Sequence, residues 1–249
     1  MVGLFDSGSG GLSVLREILK ILPRERFIYY ADNANCPYGE KTLDFIIERG
    51  RAITKTLLDR GAGIIVIACN TATGAAISTL RAEFPVKFIG MEPAVKPAAL
   101  SSRTGVIGVL ATAATFKTSK YLTTKGRYED NTRIVEHVGE GFVELVERGI
   151  LKGAVAESVV RRSLKPLLDE GADRIVLGCT HYPFLMDVIR KVAGPGVEVI
   201  DPAPAAARRL LEVMKEEGLP LEDPHPGVEL VTSGDRGSAE RLLKMIRYA

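Results

Sequence analysis

Only three of the 249 residues are cysteine, and no two of them form a Cys-x-x-Cys pair. An odd, widely spaced set cannot staple a small secreted fold, so the thiols are free and the question is whether they are inert or reactive. Long apolar runs are missing too. The longest, Ile64 to Cys69, has the length of a strand and falls well short of the ~20 residues of a membrane helix. Charge of one sign is also absent: 33 Lys and Arg stand against 31 Asp and Glu, scattered without a block, which excludes a nucleic-acid or membrane-surface binder. In place of a basic and apolar leader, the first residues run into Asp6 and a Gly-rich turn, which leads us to expect a cytoplasmic protein. Against these absences stand 46% hydrophobic and 26% charged residues, with a mean hydropathy of +0.10. That is the make-up of a globular protein with a core, not of a disordered or fibrous chain.

Short apolar runs alternate with amphipathic stretches throughout, the pattern of an α/β fold. Strands are expected at Val2–Phe5, Phe27–Tyr30, Ile64–Ala68, Val86–Gly90, Gly105–Leu110, Arg133–Val138, Arg174–Gly178, Val197–Ile200 and Val228–Thr232. These are many for one sheet. Leu43, Ile46, Ile47, Gly50, Ile53 and Leu57 make one apolar helical stripe, and further helices are expected at Leu12–Leu22, from about Ala72, and at Gly153–Gly171, Phe184–Val192, Pro204–Glu217 and Ser238–Tyr248. The proline-rich stretch Gly218–Gly227 reads as a loop.

An internal echo organises the chain. Asp59, Gly61, Ala62, Ile65, Val66 and Cys69 recur as Asp169, Gly171, Ala172, Ile175, Val176 and Cys179. Gly3-Leu-Phe-Asp-Ser7 is matched more loosely by Gly108-Val-Leu-Ala-Thr112. Two similar α/β lobes are therefore expected, each a mostly parallel sheet flanked by helices, with a cysteine at the carboxyl end of one strand. Ligands of open α/β sheets bind at that end, in the cleft where loops lead into helix N-termini. A helix N-terminus or a nearby cation lowers a thiol's pKa, so Cys69, followed by Asn70 and Thr71, and Cys179, followed by Thr180 and His181, are candidate acid/base groups. Each could instead be a small buried apolar residue. The Asp6-Ser-Gly-Ser-Gly-Gly11 turn suits a carboxylate-sized anion at a helix start. It is not GxGxxG and lacks a P-loop lysine, so nucleotide binding is poorly supported. Asp6 and Ser7 could equally be a cap and a turn.

Taken together, Phe5-Asp-Ser-Gly-Ser-Gly-Gly11, Cys36-Pro-Tyr-Gly39, Ala68-Cys-Asn-Thr-Ala72 and Leu177-Gly-Cys-Thr-His-Tyr-Pro183 resemble the glutamate racemases over nearly the whole chain. Phe142-Val143, Leu145-Val-Glu147, Thr112, Thr115, Ser119 and Thr232-Ser-Gly-Asp235 add to the match. The wider aspartate and glutamate racemase superfamily shares the two-cysteine plan, and Thr180-His181-Tyr182-Pro183 is similar to the glutamate branch. The chain departs from the usual pattern at Ala31 and Ala111, where glycine is common, at Asn35, where arginine is usual, and at Glu144, where proline is common.

The resemblance implies a cofactor-independent, metal-free isomerase, a cytoplasmic homodimer that interconverts L- and D-glutamate and supplies the latter to peptidoglycan. It assigns Cys69 to the α-proton of D-glutamate and Cys179 to that of L-glutamate, with Asp6 assisting the first thiol, His181 the second, and Glu147 as an auxiliary polar group. Asp6, Ser7, Pro37, Tyr38, Gly39, Asn70, Thr71, Thr112, Thr115, Thr180 and His181 are then the substrate-binding residues. One lobe comprises 1–94 with 206–249 and the other 95–205. Cys36, with no echo, reads as a bystander, as do His137 and His225. Three other readings stay open: a racemase of aspartate or another acidic amino acid, a non-catalytic amino-acid binder, and a metal centre at Cys36, Cys69, Cys179 and His181.

Overall fold

Strands apolar at every position belong at the centre of a parallel sheet, where helices cover both faces, whereas edge strands can carry polar side chains. The computed structural model, which describes residues 1–247, follows this rule. The chain forms two compact units: residues 1–91 with the chain from Ala203 onward, and Glu92–Pro202. The crossings lie a few residues ahead of the expected 94/95 and 205/206.

The first unit begins as β1 (Val2–Asp6), α1 (Leu12–Ile21), β2 (Arg26–Ala31), α2 (Leu43–Asp59), β3 (Ile64–Ile67), α3 (Asn70–Glu83) and β4 (Lys87–Gly90). The second contains α4 (Val95–Ser101), β5 (Val106–Ala111), α5 (Ala113–Phe116), α6 (Ser119–Gly126), β6 (Arg133–Val138), α7 (Phe142–Glu147), α8 (Ala154–Asp169), β7 (Arg174–Gly178), α9 (Met186–Ala193) and β8 (Glu198–Ile200). The chain then completes the first unit with α10 (Ala203–Glu216), β9 (Gly227–Thr232) and α11 (Gly237–Arg247). Tyr248, expected in that last helix, lies outside the described residues. The strand orders are β4-β3-β1-β2-β9 and β6-β5-β7-β8, and every pairing among the described residues is parallel. Central β1, β3 and β7 are buried along their whole length, while the edge strands β6 and β9 are only partly covered.

The sequence echo is a structural repeat. Gly3 pairs with Ile65 in the first sheet and Gly108 with Ile175 in the second, the same register between equivalent strands. Both α2 and α8 end in the same turn. Gly61 N–H donates to Leu58 O and Ala62 N–H to Leu57 O, as Gly171 does to Leu168 O and Ala172 to Leu167 O. With φ of +91° and +83°, Gly61 and Gly171 adopt the left-handed conformation that this helix stop requires. A Cβ on Gly3 would meet Leu57 Cδ1 at 3.2 Å and one on Gly108 would meet Leu167 Cδ1 at 2.8 Å, so in each unit a missing side chain lets the helix lie close on the first strand. On α2, Ile46, Gly50, Ile53 and Leu57 are buried as the stripe requires, whereas Leu43, in the first turn, is 48% exposed.

Candidate active site

In the first unit Cys69 follows β3 and is the N-cap of α3: its sulfur accepts from Ala72 N–H at 3.3 Å. An N–H pointing at sulfur, together with the positive end of a fourteen-residue helix, favours the thiolate. Ser7 Oγ lies 3.8 Å from the same sulfur. Asp6, at the end of β1, is fully buried, and its Oδ1 accepts from Gly8 N–H at 3.0 Å. The turn folds so tightly over Asp6 that a Cβ on Gly11 would come within 2.7 Å of the Asp6 Cβ. Asn70 and Thr71, in the first turn of α3, are buried. Neither polar atom of the Asn70 amide has a hydrogen-bond partner. Leaving such a group unmet costs about 1–3 kcal/mol, which a ligand at the helix start would remove.

The Pro37–Tyr38–Gly39 segment opens a short 3₁₀ turn after a cis Cys36–Pro37 bond. The Tyr38 side chain is buried, and its hydroxyl donates to Asp32 Oδ2 at 2.5 Å, so what the turn can present to a ligand is its backbone. Asp32, also fully buried, accepts Arg49 Nε at 2.9 Å and Nη2 at 2.8 Å, and Asn35 Nδ2 at 3.0 Å. Burial alone would lift the Asp32 carboxyl, yet the hydrogen bonds from Arg49, Tyr38, Ser233 and Asn35 hold it below the usual range. Burial and the Asp32 charge push the Tyr38 hydroxyl far up, so it stays a donor. Neither Asp32 nor Arg49 was among the expected site residues. Arg49 falls between Ile46 and Ile53 on the buried side of α2, the one signal that pointed to an inward role.

In the second unit Cys179 follows β7 and is buried, with His181 Nδ1 3.8 Å from its sulfur and Glu147 Oε1 2.7 Å from His181 Nε2. The expectation that both thiols sit at helix N-termini holds only for Cys69. Cys179 leads into a 3₁₀ turn, Tyr182–Leu185, and α9 begins only at Met186. Pro183 fixes that turn, and the histidine supplies the polarity that the helix end supplies at Cys69. Burial and the nearby Cys179 push the Tyr182 hydroxyl well up. Thr180 is buried beside Cys179. Thr112 Oγ1 caps α5, accepting from Thr115 N–H at 3.2 Å and lying 2.9 Å from Thr115 Oγ1.

Each unit therefore ends an equivalent buried strand in a thiol with a different polar escort. Residues 2–210 match the Asp/Glu/Hydantoin racemase family. The chain belongs to this family. As an amino-acid racemase it is an isomerase, and its fold is that of its relatives. The glutamate racemase of Methylococcus capsulatus is 47% identical over 246 residues, 98% of this chain and 91% of that protein. The Escherichia coli glutamate racemase, solved with L-glutamate and the activator UDP-MurNAc-ala, is 35% identical with a TM-score of 0.89, covering 99% of this racemase and 94% of that chain. The Francisella tularensis enzyme, solved with D-glutamate, is 28% identical with a TM-score of 0.83, covering 98% and 93%. No helix among the described residues of this racemase is long and apolar enough to cross a membrane.

Proposed function

We propose that this racemase interconverts L- and D-glutamate with Cys69 and Cys179 as its two bases, one on each face of Cα. The observation that carries the reading is the doubled strand end: equivalent strands β3 and β7 each deliver a buried thiol, at 69 and 179, and no third cysteine shares that placement. From L-glutamate, the Cys179 thiolate takes the α-proton and the Cys69 thiol gives its own proton to the opposite face. From D-glutamate the roles exchange. The electron pair left at Cα is stabilised by preorganised donors around the substrate carboxylates, for which Asn70, Ser7, Thr71, Thr180 and the backbone of the Tyr38–Gly39 turn are the candidates. An ionised Glu147 only accepts, so it draws the proton of His181 to Nε2 and leaves Nδ1 as a base toward Cys179. Asp6 and the α3 N-terminus do the corresponding work for Cys69.

Named glutamate racemases among the relatives support glutamate over aspartate. The same reading makes the protein a cytoplasmic homodimer that needs no cofactor and supplies D-glutamate for peptidoglycan. A bacterial strain that requires added D-glutamate should therefore grow without it when given this chain, and light scattering should return twice the chain mass. The direct test incubates the protein, without added cofactor, with L-glutamate and with L-aspartate and follows circular dichroism. Decay of the glutamate signal to zero is expected. Decay with aspartate alone would move the substrate, and no decay with either would leave a binding protein.

A further inference from the structure

We propose that Arg49 is a positioning residue for racemisation: acting through the buried Asp32 carboxylate, it fixes the Tyr38 hydroxyl and with it the Pro37–Tyr38–Gly39 turn that holds the substrate. The inference rests on the site reading above and extends it to a side chain that touches no substrate.

A carboxylate with no exposed surface is retained in a fold only when its charge is matched and its lone pairs are filled. Asp32 meets both conditions. The fork of Arg49 spans both oxygens at 2.8 and 2.9 Å, Asn35 Nδ2 adds a third bond at 3.0 Å, and the Tyr38 hydroxyl, at 2.5 Å, closes the set. Asp32 N–H in turn donates to the carbonyl of Asp6 at 3.0 Å, so one residue joins the α2 helix, the Asp6 strand end and the Tyr38 turn. Arginine is suited to this because its planar fork fixes direction as well as charge. Asn35 is neutral and its side chain gives Asp32 one bond, which leaves the cation to Arg49 from the helix.

The charged and titratable groups around this centre are Arg49 from α2, Tyr38 from the turn, Tyr30 from β2, Cys69 at the head of α3 and Asp6 from β1; the segment after β9 contributes the neutral Ser233. Without the Arg49 cation, burial raises Asp32 toward neutrality, and its protonation replaces a pure acceptor with a group that competes with Tyr38 for the role of donor.

The test uses the full chain and whichever of glutamate and aspartate the wild type racemises, so that a wrong substrate assignment does not count against Arg49. Arg49→Gln should raise KM roughly tenfold, the loss of one charge-assisted contact. It should also add to the kcat/KM profile an acid limb beyond that of the wild type's own bases. Asp32→Asn placed in the Arg49→Gln protein should abolish that limb, and Arg49→Lys, which restores charge without the fork, should show no added limb and a smaller rise in KM. A folded Arg49→Gln protein with wild-type KM and pH profile would overturn the proposal. If Arg49→Gln does not fold, Tyr38→Phe decides: it keeps the Arg49–Asp32 pair and cuts only the link to the turn, so a raised KM is expected and an unchanged one overturns the proposal.

Discussion

His181 is held between an acid and a thiol: its Nε2 lies 2.7 Å from Glu147 Oε1 and its Nδ1 3.8 Å from Cys179 Sγ. The relay serves one thiol only, so its loss should be directional. His181→Asn should lower kcat from L-glutamate about 10²-fold and kcat from D-glutamate much less, with Glu147→Gln acting the same way more weakly. The equilibrium between enantiomers fixes kcat/KM to be equal in the two directions, so the asymmetry must be sought in kcat. Equal kcat losses both ways would contradict a role confined to Cys179.

The three thiols should separate sharply. Cys69→Ala and Cys179→Ala should each lower racemisation by 10³-fold or more, roughly the range of a lost general base. Cys36→Ala should retain most activity, because Cys36 lies in the 3₁₀ loop after β2 and is not at an equivalent strand end. Initial rates from both enantiomers check this.

Far from the thiols, Asp173 should govern acid stability. It accepts Ser102 Oγ at 2.6 Å, Arg103 N–H at 2.8 Å, and Thr104 Oγ1 and Arg174 Nη1 at 3.2 Å each. Although burial opposes ionisation, these contacts hold its carboxyl at about 2, below the ordinary 3.8. A depressed carboxylate stabilises the fold above its unfolded pKa, and the contribution fades as pH falls from near 4 through about 2. Denaturant unfolding at pH 7 should place Asp173→Asn roughly 2 kcal/mol below wild type, from the shift at ~1.4 kcal/mol per unit. The gap should close by the bottom of that window, and a gap independent of pH would refute the assignment.

Much of the fold was legible in the sequence because buried parallel strands are apolar at every position and cannot be mistaken for solvated helix faces. Ile64–Ile67 and residues 175–178 of β7 are examples, and the glycines at 61 and 171 marked both helix ends. Helices such as Ala113–Phe116 and Phe142–Glu147 are too short to show a period, and Cys179 enters a 3₁₀ turn that a proline two residues after a histidine does not distinguish from an α-helix start. Asp32 and Arg49 were hidden for another reason: their pairing spans seventeen residues, and a lone arginine in a helix ordinarily reads as a solvated charge.

The central claim, two separate bases, is tested most directly by the fate of solvent hydrogen. A thiol exchanges its proton with water quickly, so in heavy water the cysteine waiting to donate carries deuterium, while the abstracting cysteine holds the substrate's own protium. Starting from L-glutamate at low conversion, mass spectrometry of the separated enantiomers should find deuterium at Cα in the D-glutamate formed and little in the L-glutamate recovered. Product that is mostly protiated at Cα would mean that one base carried the same proton across both faces, and would contradict the account.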